Sequence, residues 1–377
     1  MPKLYQRVAI AVLGVLSVHA SAQNPKPWAF YPGHGPNATT HIVLIAGDEE
    51  YRSEEALPQL ARILSCRQGF MCTVLFSQNP ETGEIDPDNR KHLPGLETLV
   101  RADLMIIATR FRDLPDDQMR YIDLYLLSGK PVIGLRTATH AFNISDGSIY
   151  KDTHTWNSPK PGNEGGFGRQ VLGETWVAHH GAHGSQSTLG IVPEGATDHP
   201  IARGLVGDNA PRIWGPTDVY EVRLPLVDDA TPIVLGAVLD GMAPDSPIAD
   251  SDKNRPMMPV AWTRETDFGG EGLGGGVTRR VFTTTMGAAT DLVADGTRMM
   301  LVNGVYWALG RERDIPENGS DARIVGDYQP TDFGFGGFVR GVKPSDHETD
   351  CPADESPVHA EDTENREAGE GDSEGES

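Results

Sequence analysis

From residue 41 onward, short apolar runs alternate with stretches whose apolar positions fall three and four apart. His41-Ile42-Val43-Leu44-Ile45-Ala46-Gly47 reads as a buried strand, followed by a polar loop over residues 48–53. Residues 54–65 place Ala56, Leu57, Leu60, Ile63 and Leu64 at helical spacing, and residues 72–76 form a second strand. Residues 102–108 form a third, whose far end delivers Thr109-Arg110-Phe111-Arg112. Pro115 with Asp116 and Asp117 marks a helix start, because proline suits the first turn and carboxylates suit the positive end of the dipole. Met119, Ile122 and Leu126 make that helix's apolar stripe, and Gly129 ends it. Val132-Ile133 then runs into residues 134–140, a turn of small and polar residues expected to feed a helix at Ala141-Phe142. Strand and helix in alternation with short links imply parallel strands and right-handed crossovers. The expected class is α/β: a single doubly wound (flavodoxin-like), mostly parallel sheet flanked by helices, with long irregular insertions.

Beyond Ile149 the pattern loosens. Residues 151–190 are rich in Gly, His, Pro and Thr and contain Gly173-Glu174-Thr175-Trp176-Val177-Ala178-His179-His180-Gly181-Ala182-His183-Gly184. A long irregular stretch inside a compact domain is more often functional than idle. Strands resume at 188–193, 218–222, 232–239, 259–263 and 280–287, and a helix is expected over 292–309. The glycine run at 269–276 precedes a strand and lacks a Gly-Lys-Ser/Thr ending, so it reads as a surface connector, not a phosphate loop. Residues 316–345 carry Phe333-Gly334-Phe335-Gly336-Gly337-Phe338, expected to pack its rings on the α/β domain of 41–315.

Composition changes this picture mainly at the ends. Lys3 and Arg7, an apolar run from Val8 to Val18 and then Ala20-Ser21-Ala22 form a signal-peptide pattern over 1–22, so export to a periplasm or the exterior is expected. The run is short of the roughly 20 apolar residues that span a bilayer, and no stable membrane span is expected after cleavage. Residues 23–40 read as a Pro-rich lead-in. The net charge of −22 is concentrated toward the C-terminus: residues 346–377 carry about half of it, with Arg366 as their only basic side chain other than histidine. That stretch is expected to be a solvating, disordered tail. No basic stripe offers nucleic acid a footing. Cys66 and Cys72 flank an expected helix-to-strand turn, where an oxidising compartment could let them bridge, leaving Cys351 unpaired in the tail. The oligomeric state is not legible.

Four segments carry a family resemblance: the first strand with its loop; Val132-Ile133-Gly134-Leu135 through Thr139-His140-Ala141-Phe142; His199-Pro200 leading to Trp214 and Tyr220; and Arg280-Val281-Phe282-Thr283-Thr284-Thr285-Met286-Gly287 with Tyr306-Trp307-Ala308-Leu309-Gly310. In this order and spacing the chain resembles the ThuA-like (trehalose-utilisation) family, whose fold is similar to class I glutamine amidotransferases. The resemblance implies carbohydrate metabolism, with an oxidised (keto) disaccharide as ligand. Arg136 stands where many ThuA-like sequences have His, His140 where they have Asp, and Ala288 where a His often follows the Gly; of their Asp-Glu pair before the Tyr, only Asp218 carries over.

A doubly wound sheet converges its strand carboxyl ends, so the loops at 49–53, 109–112, 136–140 and 287–291 are expected to ring one cleft, with the His-rich stretch above it. His140, oriented by Glu174 or Asp218, could serve as general acid or base, or could merely cap a helix. His179 and His180 could share that chemistry, and with His183 they offer spacings that could hold zinc or a similar divalent metal in an open site; plain loop histidines are the alternative. Arg110 and Arg136 could bind sugar hydroxyls or a carboxylate through forked hydrogen bonds, or pair with Glu49 and Glu50 structurally. Glu50, Tyr51, Thr137, Thr139, His183 and Trp214 complete the expected sugar-binding set, with Trp176 and Trp214 as stacking or core rings. The turn after the fourth strand holds no Cys or Ser at its tip, and Ser185 and Ser187 lack a nucleophile elbow, which argues against a cysteine amidotransferase or serine hydrolase. Two readings stay open: an acid-base enzyme of keto-sugar lyase, hydrolase or isomerase type, and a catalytically silent carbohydrate-binding module.

Overall fold

The computed structural model describes residues 26–268 and 277–352. The expectations for the signal segment 1–22, the glycine run at 269–276 and the tail beyond 352 lie outside the described residues. The strands are β1 (Trp28–Tyr31), β2 (His41–Gly47), β3 (Met71–Phe76), β4 (Leu104–Thr109), β5 (Val132–Leu135), β6 (Trp176–His179), β7 (Thr188–Ile191), β8 (Ile213–Gly215), β9 (Tyr220–Val222), β10 (Ala230–Val238), β11 (Met258–Phe268) and β12 (Val277–Thr284). The helices are α1 (Ser53–Arg62), α2 (Asp116–Leu127), α3 (Lys151–His154), α4 (Gly166–Gln170) and α5 (Asp295–Ala308). None of the described helices is long and apolar enough to cross a membrane.

One mixed sheet runs β1-β3-β2-β4-β5-β12-β11-β10-β7-β8. Its centre, β3-β2-β4-β5-β12, is parallel throughout and has the flavodoxin-like order. Antiparallel strands extend it on both sides. The unbroken apolar runs follow from burial on both faces. Ile42, Leu44, Leu104 and Ile106 pack with Ala56, Leu57 and Leu60 of α1 and with Met300 and Val305 of α5. The alternate residues Val43, Ile45, Met105 and Ile107 pack with Met119, Ile122 and Leu126 of α2. Strand order reverses at β2, so the carboxyl ends of β2 and β4 define the crevice where open α/β sheets place ligands.

Four features differ from the sequence expectation. Part of the lead-in forms β1, which pairs antiparallel with β3 and covers that edge. The turn after β5 is a single 3-10 turn, Arg136–His140, and opens no helix. Arg136 takes a left-handed φ of 45° there. Residues 141–143 then bridge to Arg112, through Arg112 N–H to Ala141 O (2.7 Å) and Asn143 N–H to Arg112 O (2.9 Å), so their backbone groups are already committed. Within the irregular stretch, β6 pairs with β9 as a separate two-stranded sheet.

The fourth difference is the disulfide. Cys66 bonds Cys351, 285 positions away, while Cys72 is a free, fully buried thiol on β3. Residues 346–352 are therefore not a loose tail: Tyr31 Oη donates to His347 O (2.9 Å) and Glu348 accepts from Phe30 N–H (3.0 Å). The Cys66–Cys72 pairing fails because Cys72 points into the core on its strand, where its thiol meets Phe70 O at 3.8 Å. Cys66 instead meets the C-terminal segment that returns beside β1. Cys351→Ser should cost about 2–4 kcal/mol, because the crosslink closes a very long loop in the unfolded chain. Urea denaturation under non-reducing conditions measures that loss. A peptide map of the oxidised protein showing Cys66 joined to Cys72 would contradict the pairing.

Candidate functional site

The mouth is built by three loops that leave β2, β4 and β5, and each holds a non-glycine residue in the left-handed region: Arg52 (φ 57°), Phe111 (φ 48°) and Arg136 (φ 45°). Such backbone costs of order 1–3 kcal/mol per residue and clusters at ligand sites. Asp48 ties two loops together. Its Oδ1 accepts the N–H groups of Glu50 (2.8 Å) and Tyr51 (3.1 Å), and its Oδ2 accepts from Thr137 Oγ1 (2.7 Å). Burial pushes the Asp48 carboxyl above its ordinary range despite these hydrogen bonds.

Glu49 gathers three guanidinium groups, from Arg112 (2.5 Å), Arg110 (2.7 Å) and Arg90 (2.8 Å). Arg110 also meets Glu50 at 3.3 Å and lies over the Phe111 and Phe335 rings. Its forked donors serve these protein acids, which is the structural alternative to sugar binding. Arg136 is likewise committed. At 1% exposed, it donates from Nη1 to the carbonyls of Asp218 and Thr285 (2.8 Å each) and from Nη2 to Asp218 Oδ1 (3.0 Å). Its guanidinium lies 3.7 Å from the Tyr220 ring centre and 4.4 Å from that of Tyr51. The expected substrate-binding role of Arg136 is corrected: a fully buried, protein-bonded guanidinium holds Asp218 in place.

Asp218 is the hub. His179 Nδ1 lies 2.8 Å from its Oδ2, and His183 Nδ1 lies 3.1 Å from its Oδ1. Burial would raise the Asp218 carboxyl, but the His179 hydrogen bond, the charges of Arg136 and His179, and the His183 hydrogen bond outweigh it and hold the group down at about 2. The far side of His183 faces Glu50, with Nε2 to Oε1 at 3.6 Å. One ligand atom each of His179, His183 and Asp218 lies within 4.8 Å of the other two, a spacing that could hold a metal. The two imidazole side chains are 37% and 36% exposed, so solvent reaches them while Asp218 is sealed.

Aromatic rings wall the mouth. Trp176 packs against His140 (5.0 Å between centres), His179 (5.8 Å) and Tyr220 (6.2 Å), and its Nε1 is buried with no hydrogen-bond partner among the described residues. Phe333, from the C-terminal extension, stacks on Tyr51 (5.7 Å) and lies 5.3 Å from His183. Gly334 N–H donates to Glu50 O at 2.7 Å, so this extension packs on the site itself. An adjoining cavity of about 410 Å³ is lined by Trp156, Trp176, Thr175 and Arg223.

His140 lies in this wall. Only 2% exposed, it contacts Phe111 (4.9 Å), Trp176 and Tyr220 (5.9 Å), and its Nδ1 meets Thr139 Oγ1 at 3.3 Å. Burial first, then the charges of Arg110, Arg136 and His179, pull its pKa well below the ordinary value, so the ring is neutral. Its expected orienters are corrected: Glu174 and Asp218 bond elsewhere. Glu174, fully buried, pairs with Arg169 and with Arg223 (3.0 Å), which makes it a structural acid. His180 also leaves the cluster, because the turn after β6 points its Nε2 at Lys253 O (2.7 Å). Trp214, on β8 at the far edge, places its indole Nε1–H 3.3 Å from Ser187 Oγ and lies outside the aromatic wall. Sequence reasoning missed Asp48, Phe111, Trp156, Tyr220 and Phe333 as site residues.

No family model matches the chain, and no curated protein does. Among solved structures, it is similar to one described as a ThuA-like protein from Bacteroides uniformis: 13% identity, TM-score 0.44, covering 73% of this chain and 93% of that one. Another so described, from Parabacteroides merdae, gives 14% identity and TM-score 0.44 over 84% of this chain and 99% of that one. An exo-beta-1,4-mannosidase from an Opitutaceae bacterium gives 9% identity and TM-score 0.29, over 71% and 35% respectively.

Proposed function

We propose that the chain is an exported enzyme of carbohydrate metabolism that binds a sugar, a keto-disaccharide in the leading case, at this mouth and acts on it by imidazole-carboxylate chemistry. The observation that carries this reading is the pairing of two solvent-reachable imidazoles on one buried carboxylate. With Nδ1 of His179 donating to Asp218, its Nε2 is left as a proton acceptor, and the carboxylate stabilises the imidazolium that forms. His183, between Asp218 and Glu50, is suited to return a proton to a leaving oxygen. Abstraction of the proton next to a keto group by His179, with His183 protonating the departing glycosidic oxygen, gives a balanced elimination without a nucleophilic Cys or Ser. Trp176 presents its ring to a sugar face with the buried, neutral His140 packed behind it, and the cavity by Trp156 falls in the range that encloses small ligands. The ThuA-like segments of the sequence support the substrate class.

Incubating the protein with a panel of disaccharides and their 3-keto forms, with products followed by mass spectrometry, tests this reading. Conversion of a keto form, lowered about 10²–10⁴-fold by His179→Gln, is expected. Binding without conversion would favour the silent module, and neither binding nor conversion would overturn the carbohydrate reading.

A further inference from the structure

We propose that His179, His183 and Asp218 form a site for one divalent first-row transition ion, with zinc the best match. The inference rests on the reading of this mouth as the reacting centre, and with the ion bound His179 and His183 act as its ligands in place of the proton transfers proposed for the ion-free mouth. Two imidazoles and one carboxylate supply three protein ligands and leave a fourth position open, the pattern of reactive zinc centres as opposed to closed structural ones. Their partial exposure puts the open position within reach of solvent and substrate. Mixed nitrogen and oxygen donors favour zinc over calcium or magnesium, which prefer oxygen alone.

The surrounding residues meet the demands of an outer shell. Arg136 Nη2 donates to Asp218 Oδ1 (3.0 Å), fixing the carboxylate, and Glu50 faces the second nitrogen of His183. A neutral imidazole carries one N–H, yet carboxylates face both ring nitrogens of His183. An ion on Nδ1 satisfies this arrangement as well as an imidazolium would, with the remaining N–H pointing at Glu50. Backbone geometry serves the same cluster. His180 and Gly181 both donate to Val219 O (2.9 and 3.0 Å), which brings the histidine turn onto Asp218. A Cβ at position 181 would lie 3.0 Å from Asp218 Cβ, so glycine allows the close approach. When bound, such an ion polarises a carbonyl or lowers the pKa of a bound water.

His180 makes the test sharp, because spacing alone would count it as a ligand while the fold turns it onto Lys253. Full-length protein stripped with chelator is titrated with zinc by calorimetry and with cobalt(II) by absorption, with circular dichroism checking each variant's fold. One ion per chain is expected. His179→Gln and His183→Gln should each weaken zinc at least tenfold, Glu50→Gln by about tenfold, and His180→Gln not at all. No saturable zinc binding by the wild type, or equal loss in His180→Gln, would overturn the site. If stripped protein still converts keto-sugars and takes up no zinc, the ion falls and the proposed function stands. Stoichiometric zinc with no sugar bound or converted keeps the ion site and removes the carbohydrate reading.

Discussion

Asp218→Asn should abolish detectable turnover and cost about 3–5 kcal/mol of stability, since removing one partner of a buried ion pair leaves the other charge uncompensated. The charge left behind is Arg136, itself 1% exposed and anchored between two tyrosine rings. The same substitution leaves one acceptor oxygen where the two imidazoles use two, and removes the negative charge that faces them. The pH dependence carries a signature. With the folded carboxyl at about 2 against an ordinary 3.8, Asp218 contributes stability above pH 4 that is lost as pH falls toward 2. Urea denaturation across that window should show this acid-side loss in the wild type and a smaller one in Asp218→Asn. Equal slopes would remove Asp218 from its position as the charge-bearing hub.

Glu49→Gln should be equally costly to stability, about 3–5 kcal/mol, on the same ground. It deprives three guanidinium groups of their shared carboxylate, and Arg112 is fully buried. Burial already pulls the Arg112 guanidinium down to about 10 despite Glu49. Its remaining partners are Ser77 Oγ and the carbonyls of Pro87, Asn89 and Arg110. Replacing both Glu49 and Arg112 by apolar residues of similar volume should recover much of the loss, which a double-mutant cycle in urea measures. Because Glu49 is spoken for by these arginines, activity per folded molecule should fall far less than in Asp218→Asn. A change under about 1 kcal/mol would mean that the arginine cluster is solvated.

The parallel centre of the sheet was legible because its strands are buried on both faces: the runs at 42–46 and 104–108 have no polar interruption. Strands β1 and β6 escaped notice for the opposite reason. They are four residues long, and β6 is half exposed, so neither carries a periodic signal long enough to stand out. The His179 and His183 spacing was readable, but the exclusion of His180 depends on backbone bonds to Val219. Partner choice across long separations was the least legible property. Arg136 and Asp218 are 82 positions apart, Tyr51 and Phe333 meet from opposite ends of the chain, and Cys66 finds Cys351. Only the assembled fold brings those residues together. Glu174 shows the converse error, since its nearness in sequence to the histidines masked its commitment to Arg169 and Arg223.

The most direct measurement is a crystal structure of the full chain with a keto-disaccharide or an unreactive analogue bound. The ligand should lie against Trp176 and Phe333, with a carbonyl or hydroxyl oxygen within hydrogen-bond reach of His179 and His183. A ligand confined to the cavity beside Arg298 and Asp321, leaving both imidazoles bare, would contradict the assignment of the mouth as the reacting site.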